Sequence, residues 1–221
     1  MQMLQFNLMK ITLFLFFMII FSSCAVNRKM MFENKKVAID NNFSKKITVV
    51  FQDSRKDVLA GKEKVTFCGH MNSSAQIEYN IQTKSGKPLA DEFSIFFSNS
   101  YNTNKELAKS VFAEPRNNKD SIINNFKNSD MDFMIFVSIY DWETRSTPLF
   151  SSIRYEMNYK LHFEIYNKNG NKITEYDAQD ATTEKKGLAA SLKIMQTIAD
   201  DAIKKEFKHF FDSPSVKNIL M

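Results

Sequence analysis

Two charged side chains at the end of an apolar segment could bind a ligand. Asp53 and Arg55 flank Ser54 directly after the β-branched and apolar run 47–51, and strand ends are positions where functional groups often lie. The guanidinium fork of Arg55 could hold an anionic or amide-bearing molecule. The same spacing is also typical of a pair that holds a turn by hydrogen bonds. Ligand binding and a structural turn are therefore both open interpretations.

Side chains suited to catalysis or metal binding are present but scattered. His70, His162 and His209 have no sequence neighbours that would form a nucleophile–base pair, and the chain carries neither a Gly-rich phosphate loop nor a Gly-x-Ser-x-Gly elbow. Cys68 and His70 supply at most two ligands where tetrahedral zinc needs three or four. We therefore predict no enzyme activity, no cofactor and no metal, and Cys68 as a partly buried strand residue.

A further reactive group, the thiol of Cys24, follows an apolar segment and two small residues. The apolar run 11–21 and the pair Ser22-Ser23 precede it. The run is about half of the ~20 residues that cross a bilayer as a helix, which is typical of a secretory signal. This ending resembles the lipobox of bacterial lipoproteins, in which the cysteine is acylated, for example with palmitate, and the preceding segment is removed. An uncleaved anchor and an ordinary signal peptide are the alternatives.

The lipobox resemblance predicts where the protein lies. Ala25 follows the cysteine without an acidic cluster, which by analogy with known sorting schemes favours the outer membrane and a periplasmic orientation. The net charge of +5 is dispersed along the chain, so a membrane surface is a better partner than nucleic acid. If Cys24 is acylated, Cys68 has no disulfide partner. Translation is expected to begin at Met9, because Met9-Lys10 directly precedes the apolar run.

The remaining chain divides into a tether, one domain and a tail. Residues 24–45 are polar and rich in Asn and Lys, which is typical of a linker, with one possible edge strand at 37–39. Residues 46–213 are long enough for a single domain with a real core. Residues 214–221 follow Pro214 as a C-terminal tail.

Hydrophobic periodicity predicts the elements of the domain. Strands are expected at 47–51, 75–82, 109–113, 132–142, 154–166 and 172–176, and helices at 88–101, 120–127 and 187–211. Segment 132–142 is apolar on both faces, as in a central strand, whereas 154–166 alternates strictly between apolar and polar residues. Together these patterns predict an α+β fold, a mostly antiparallel sheet with the helices 88–101 and 187–211 packed on one face.

The loop expected at 144–152 carries hydrophobic residues. Leu149 and Phe150 lie in this loop, near the only tryptophan, Trp142. They could cover the edge of the core. Clustered aromatics at the end of a sheet are also typical of protein interfaces, so Trp142, Leu149 and Phe150 form a candidate partner-binding patch.

Two segments resemble the YajG-type family of uncharacterised bacterial lipoproteins. One is Val49-Val50-Phe51-Gln52-Asp53-Ser54-Arg55 with the downstream Gly61, and the other runs from Ile153-Arg154-Tyr155 through Asn169-Gly170-Asn171 to Thr197-Ile198-Ala199-Asp200. The resemblance covers the order of elements, and segment 62–115 is longer than expected. It implies a lipoprotein fold and location and carries no settled activity.

These observations predict a lipid-anchored, non-enzymatic protein of the cell envelope. Its expected partner is another envelope protein, or it assists envelope assembly. The alternative is a periplasmic lipoprotein that binds a small ligand or glycan at Asp53 and Arg55. The identity of the partner and the oligomeric state stay open at this point.

Overall fold

The computed structural model describes residues 28–39, 43–73, 75–102 and 106–221. Within these ranges eight strands form one sheet: β1 (Lys29–Met30), β2 (Ile47–Asp53), β3 (Phe67–Asn72), β4 (Glu78–Thr83), β5 (Ala108–Ala113), β6 (Phe133–Pro148), β7 (Ile153–Asn167) and β8 (Lys172–Lys186). The helices are α1 (Lys56–Leu59), α2 (Leu89–Tyr101), α3 (Lys119–Lys127), α4 (Leu192–Asp212) and α5 (Pro214–Leu220).

The sheet is mixed, which corrects the prediction of a mostly antiparallel one. Antiparallel pairing joins β6 to β7, β7 to β8 and β3 to β4. Parallel pairing joins β2 to β5 and β6, β3 to β6, and β1 to β4. Strands lie at the six predicted positions. However, parallel pairs join segments that are distant in the chain, and hydrophobic periodicity does not report which distant strands pair.

Strand β6 changes its partner along one edge. Its first half pairs with β2 up to Ile139, and its second half pairs with β3 from Thr144 onward. At Gly69 the backbone of β3 comes so close to β6 that an added Cβ would lie 2.0 Å from the carbonyl oxygen of Thr144. Only glycine fits such an approach.

The two faces of the sheet are covered differently. Helices α2 and α4 cover the main core, as predicted, and their rings interlock: Phe97 lies 4.8 Å from Phe207, and Phe210 lies 4.8 Å from Phe163 of β7. Helix α3 covers a smaller core on the opposite face around Phe126. The predicted alternation of β7 is confirmed, since its apolar side chains are buried: Tyr155, Met157, Tyr159, Leu161, Phe163 and Ile165.

Both flanking segments are packed rather than free. In the region expected to be a tether, Phe32 is buried and its N–H donates to Oε2 of Glu92 at 2.8 Å, and Val37 donates to Oγ of Ser100. The edge strand of this region is β1 and not 37–39. The predicted tail forms helix α5, in which Val216 and Leu220 are buried.

Several boundaries in the second half also differ. Strand β6 continues to Pro148, so the connection to β7 is a short hairpin rather than a loop over 144–152. Strand β8 extends ten residues beyond 176 because its polar residues pair with β7. Helix α4 therefore starts only at Leu192, after the N-cap Ser191. In the described part of the chain, no helix combines the length and the apolar character needed to cross a bilayer.

The burial of α5 predicts that the last residues stabilise the domain. Leu220→Ala should lower the free energy of unfolding by about 2–5 kcal/mol, because it leaves a cavity in the core. The neighbouring Met221 is exposed, so Met221→Ala should change it by less than about 0.5 kcal/mol. Denaturant unfolding followed by circular dichroism measures both. Equal stability of the two variants would contradict a packed α5.

Candidate functional site

Of the sequence-predicted sites, Cys24 lies outside the described residues. Its lipidation stays a prediction. The other candidates fall in two places. Asp53 and Arg55 lie at the point where β6 changes partner, whereas Leu149 and Phe150 lie at the far end of the β6–β7 hairpin.

Arg55 joins three strands. Its Nε and Nη2 donate to the two carboxylate oxygens of Asp53, at 2.9 and 2.6 Å. Its Nη1 donates to the carbonyl oxygens of Phe67 in β3 and Trp142 in β6, at 2.9 and 3.3 Å. Each guanidinium nitrogen is therefore bonded to an acceptor inside the domain.

Asp53 and Arg55 form a buried ion pair. Asp53 is 1% and Arg55 5% exposed. Burial alone would lower the pKa of Arg55, but the hydrogen bond and charge of Asp53 outweigh it and hold the pKa above its ordinary value. These contacts agree with the interpretation in which Asp53 and Arg55 hold a turn by hydrogen bonds. Ligand binding by Asp53 and Arg55 stays a prediction, and none of these contacts points toward it.

Trp142 is part of the core and not of a surface patch. Its side chain is buried, with the rings of Phe93, Phe32 and Tyr159 at 4.6, 6.0 and 6.0 Å. The long extension of β6 separates it from Phe150 by eight residues, about 26 Å along an extended strand. The structure therefore does not bring the three predicted partner-binding residues together.

The hairpin end carries an exposed apolar group that we call the apolar tip, composed of Leu149, Phe150 and Leu188. Phe150 is fully exposed, Leu149 is partly exposed, and Leu188 is 81% exposed. The N–H of Ile153 donates to the carbonyl oxygen of Gly187, which places Leu188 beside the hairpin. The helix predicted over 187–211 includes Leu188, but β8 continues to Lys186 and the helix begins only at Leu192, so Leu188 lies in the connection between them.

The thiol of the remaining cysteine is unreactive at neutral pH. Cys68 is fully buried, and its thiol lies 3.4 Å from the carbonyl oxygen of Thr66. Burial raises the pKa of this thiol far above its ordinary value, so the nucleophilic thiolate is not accessible at neutral pH.

Two histidines lie among carboxylates. His70 has Glu78 at 3.3 Å from Nδ1, and Glu143 and Glu63 at 3.8 and 4.0 Å from Nε2. Arg145 bridges Glu78 and Glu143, at 3.1 and 2.7 Å. This cluster links the strands β3, β4 and β6 at the surface.

The second histidine cluster has the ligand types of a metal site. His162, Glu164 and Glu175 could each supply one ligand atom, all within 4.8 Å of one another. However, Lys119 and Lys172 both contact Glu164. Burial would raise the pKa of Glu164, but the hydrogen bond and charge of Lys119 lower it. Because ammonium groups already compensate the carboxylates, a cross-strand ion-pair network describes the cluster better than a metal centre.

Comparisons with known proteins find similarity in structure and not in sequence, and this structural similarity is distant. Neither a protein-family model nor a curated protein sequence matches the chain, so the YajG-type resemblance stays a prediction. An uncharacterised protein aligns with 80% of this chain and 96% of its own, with a TM-score of 0.44 and 11% identity.

Two further solved structures are similar at the same low level. A putative neuraminyllactose-binding hemagglutinin homolog from Helicobacter pylori has a TM-score of 0.38 and 8% identity over 84% of this chain and 92% of its own. A lipoprotein from Neisseria meningitidis has a TM-score of 0.30 and 9% identity over 74% and 98%. At these scores the neighbours carry no argument about function.

The geometry around Arg55 predicts a structural effect of its removal. Arg55→Ala removes the cation and both side-chain donors from the buried carboxylate of Asp53 and leaves it only the backbone N–H of residue 55, at 3.2 Å, so the free energy of unfolding should fall by about 3–5 kcal/mol. Arg145→Ala removes two partly exposed ion pairs, with Glu78 and Glu143, and should cost less than about 1 kcal/mol. Denaturant unfolding measures both variants. If Arg55→Ala were as stable as the wild type, the pair would not be structural and ligand binding would become the better interpretation.

Proposed function

We propose that this protein is a lipid-anchored, non-enzymatic component of the bacterial cell envelope, attached through Cys24 to the outer membrane on its periplasmic side. In this proposal the apolar tip rests on the lipid surface, and the other half of the domain is presented to an envelope partner. The observation that carries it is that the apolar tip lies at the end of the domain toward which the N-terminal end of β1 points.

The direction of β1 follows from the sheet. Strand β1 is parallel to β4, β4 is antiparallel to β3, and β3 is parallel to β6. Strand β1 therefore runs opposite to β6. Because β6 runs toward the apolar tip, the N-terminal end of β1 faces the same end of the domain.

The distance to the lipidation site is short. Arg28 lies four positions after Cys24, and an extended chain spans at most about 3.3–3.6 Å per residue. An acylated Cys24 would thus hold Arg28 within about 14 Å of its lipid. A tether of this length keeps the N-terminal end of the domain close to the membrane.

The tip and its surroundings fit a lipid surface. Burial of Phe150 or Leu188 in the interface would contribute about 1.5–3 kcal/mol each. The basic residues Lys185 and Lys186 are exposed near this end, opposite Arg154 and Ile153 of β7, and cations near anionic headgroups add about 1 kcal/mol each. An exposed apolar group with basic neighbours beside a lipid anchor is the combination that favours stable membrane contact.

The non-enzymatic part of the proposal is supported by the polar clusters of the described residues. The guanidinium of Arg55 is bonded internally, and the thiol of Cys68 is buried. His70 and His162 face carboxylates, and the hydrogen bonds and ion pairs of the described residues do not connect either ring to a hydroxyl or thiol nucleophile. Hydrolytic chemistry would need such a pair.

Fluorescence quenching tests the position of the apolar tip. In the intact acylated chain reconstituted into vesicles with brominated acyl chains, Phe150→Trp should be quenched several-fold more strongly than Tyr140→Trp. Tyr140 is an exposed aromatic in β6, ten residues and therefore about 33 Å of strand away from Phe150. The buried Trp142 gives the same background in both variants.

Equal quenching of the two introduced tryptophans would contradict contact between the tip and the membrane. Protection of Phe150→Trp by a bound protein, without quenching by lipid, would instead assign the tip to partner binding.

A further inference from the structure

Strand β5 forms an open edge of the sheet. It pairs with β2 along one side, and no strand in the described part of the chain pairs along its other side. Two hydrophobic residues lie there, Val111 and Phe112, which are 37% and 44% exposed. Soluble proteins usually protect such edges, because unpaired backbone groups recruit another strand.

The ladder with β2 shows which backbone groups of β5 point outward. Ile47 lies opposite Ala108, and its N–H donates to the carbonyl oxygen of Leu107 at 2.7 Å. In a parallel pair a residue bonds to the two neighbours of its partner. The odd-numbered residues of β5 therefore face β2, and the N–H and C=O groups of Ala108, Ser110 and Phe112 face the open side.

The first of these outward positions is already capped. The side-chain amide of Asn102 accepts from the N–H of Ala108 at 2.6 Å and donates to its carbonyl oxygen at 2.8 Å. This amide takes the place that a neighbouring strand would occupy. The described residues provide no such cap for Ser110 and Phe112, so four backbone groups remain open on two residues.

We propose that a second copy of this chain occupies the edge, with the two β5 strands paired antiparallel about a two-fold axis at Val111. In this register Ser110 of each copy lies opposite Phe112 of the other. The residues Ser110 and Phe112 then form hydrogen-bonded pairs, each with two bonds, and all four open groups of each copy are satisfied. The proposal rests on β5 alone and is independent of the lipid anchor.

The side chains are complementary in the same arrangement. Phe112 pairs in register with Phe51 of the main core, and Val111 with Val50 of the smaller core. Phe112 therefore points to the side of the sheet covered by α2, and Val111 to the side of α3.

On the α2 side, a cavity of about 460 Å³ lies beside the small Ser110 and is lined by Ile95, Ser98 and Leu107. The Oγ of Ser98 is buried and lacks a hydrogen-bond partner among the described residues. In the two-fold register Phe112 of the second copy lies opposite Ser110, at this cavity. The exposed aromatic ring of each copy thus fits the space beside the serine of the other. A self-complementary patch of this kind defines an isologous dimer.

A single cysteine tests this arrangement. At the two-fold axis, Val111 of one copy forms a non-hydrogen-bonded pair with Val111 of the second copy. The Cα atoms of such a pair are about 4.5 Å apart, which lies within the range for disulfides. Val111→Cys in the intact chain, expressed in cells and mildly oxidised, should give a covalent dimer as the main species on a non-reducing gel.

Lys109→Cys is the matched control, because Lys109 is an exposed residue of the same strand on the same side of the sheet. In the proposed register the two copies of residue 109 are four residues apart along the strand, about 13 Å, so its dimer yield should stay at the wild-type level. Cys24 and Cys68 are common to all variants. The double variant Ser110→Cys/Phe112→Cys, which crosslinks at the hydrogen-bonded pairs, serves if Val111→Cys does not fold.

Absence of a dimer in both crosslinking variants, or equal yields from Val111→Cys and Lys109→Cys, would overturn the proposal. So would a disulfide between residue 111 and a different protein, which would assign the open edge to a heterologous partner.

Discussion

Strands β2 and β3 pair one after the other along the same side of β6, and both are shorter than β6. The domain is organised around this difference in length. Strand β2 covers the first half and β3 the second, which leaves residues 140–143 between Ile139 and Thr144 without a neighbouring strand on that side. Buried backbone groups need partners. Ser54 donates to the carbonyl oxygen of Ile139, and Arg55 donates to that of Trp142. A buried ion pair thus takes the place of a missing stretch of strand.

This arrangement explains why the local parts of the fold could be predicted and the global part could not. The alternation of β7 and the apolar character of β6 are each visible within one continuous segment of the sequence. Hydrophobic periodicity therefore predicts them. The parallel pairing of β6 with β2 and β3 joins segments separated by long stretches of chain. Residues 28–39 and helix α5 have the sequence pattern of a linker and a tail, because their few apolar residues, such as Phe32 and Leu220, pack only against a core that distant segments build.

The candidate sites show the same division. The pairing of Asp53 with Arg55 could be predicted from the spacing, together with the alternative that it holds a turn. Its actual acceptors, Phe67 and Trp142, depend on the meeting of three strands. Leu188 and its apolar neighbours have the pattern of a helix start, and only the full length of β8 places Leu188 beside the hairpin. The domain consequently has two distinct surfaces, an apolar tip at the end toward which β6 runs and an open edge at β5, which pairs with β2 beside the first half of β6.

The role assigned to the apolar tip depends on acyl chains at Cys24. Metabolic labelling with a fatty-acid probe, followed by purification of the protein from the membrane and soluble fractions, tests this most directly. The account predicts that the wild-type chain carries the probe and sediments with membranes, whereas Cys24→Ser is unlabelled and is largely lost from the mature membrane-bound pool. A wild-type chain without the probe, or equal labelling of Cys24→Ser, would contradict it.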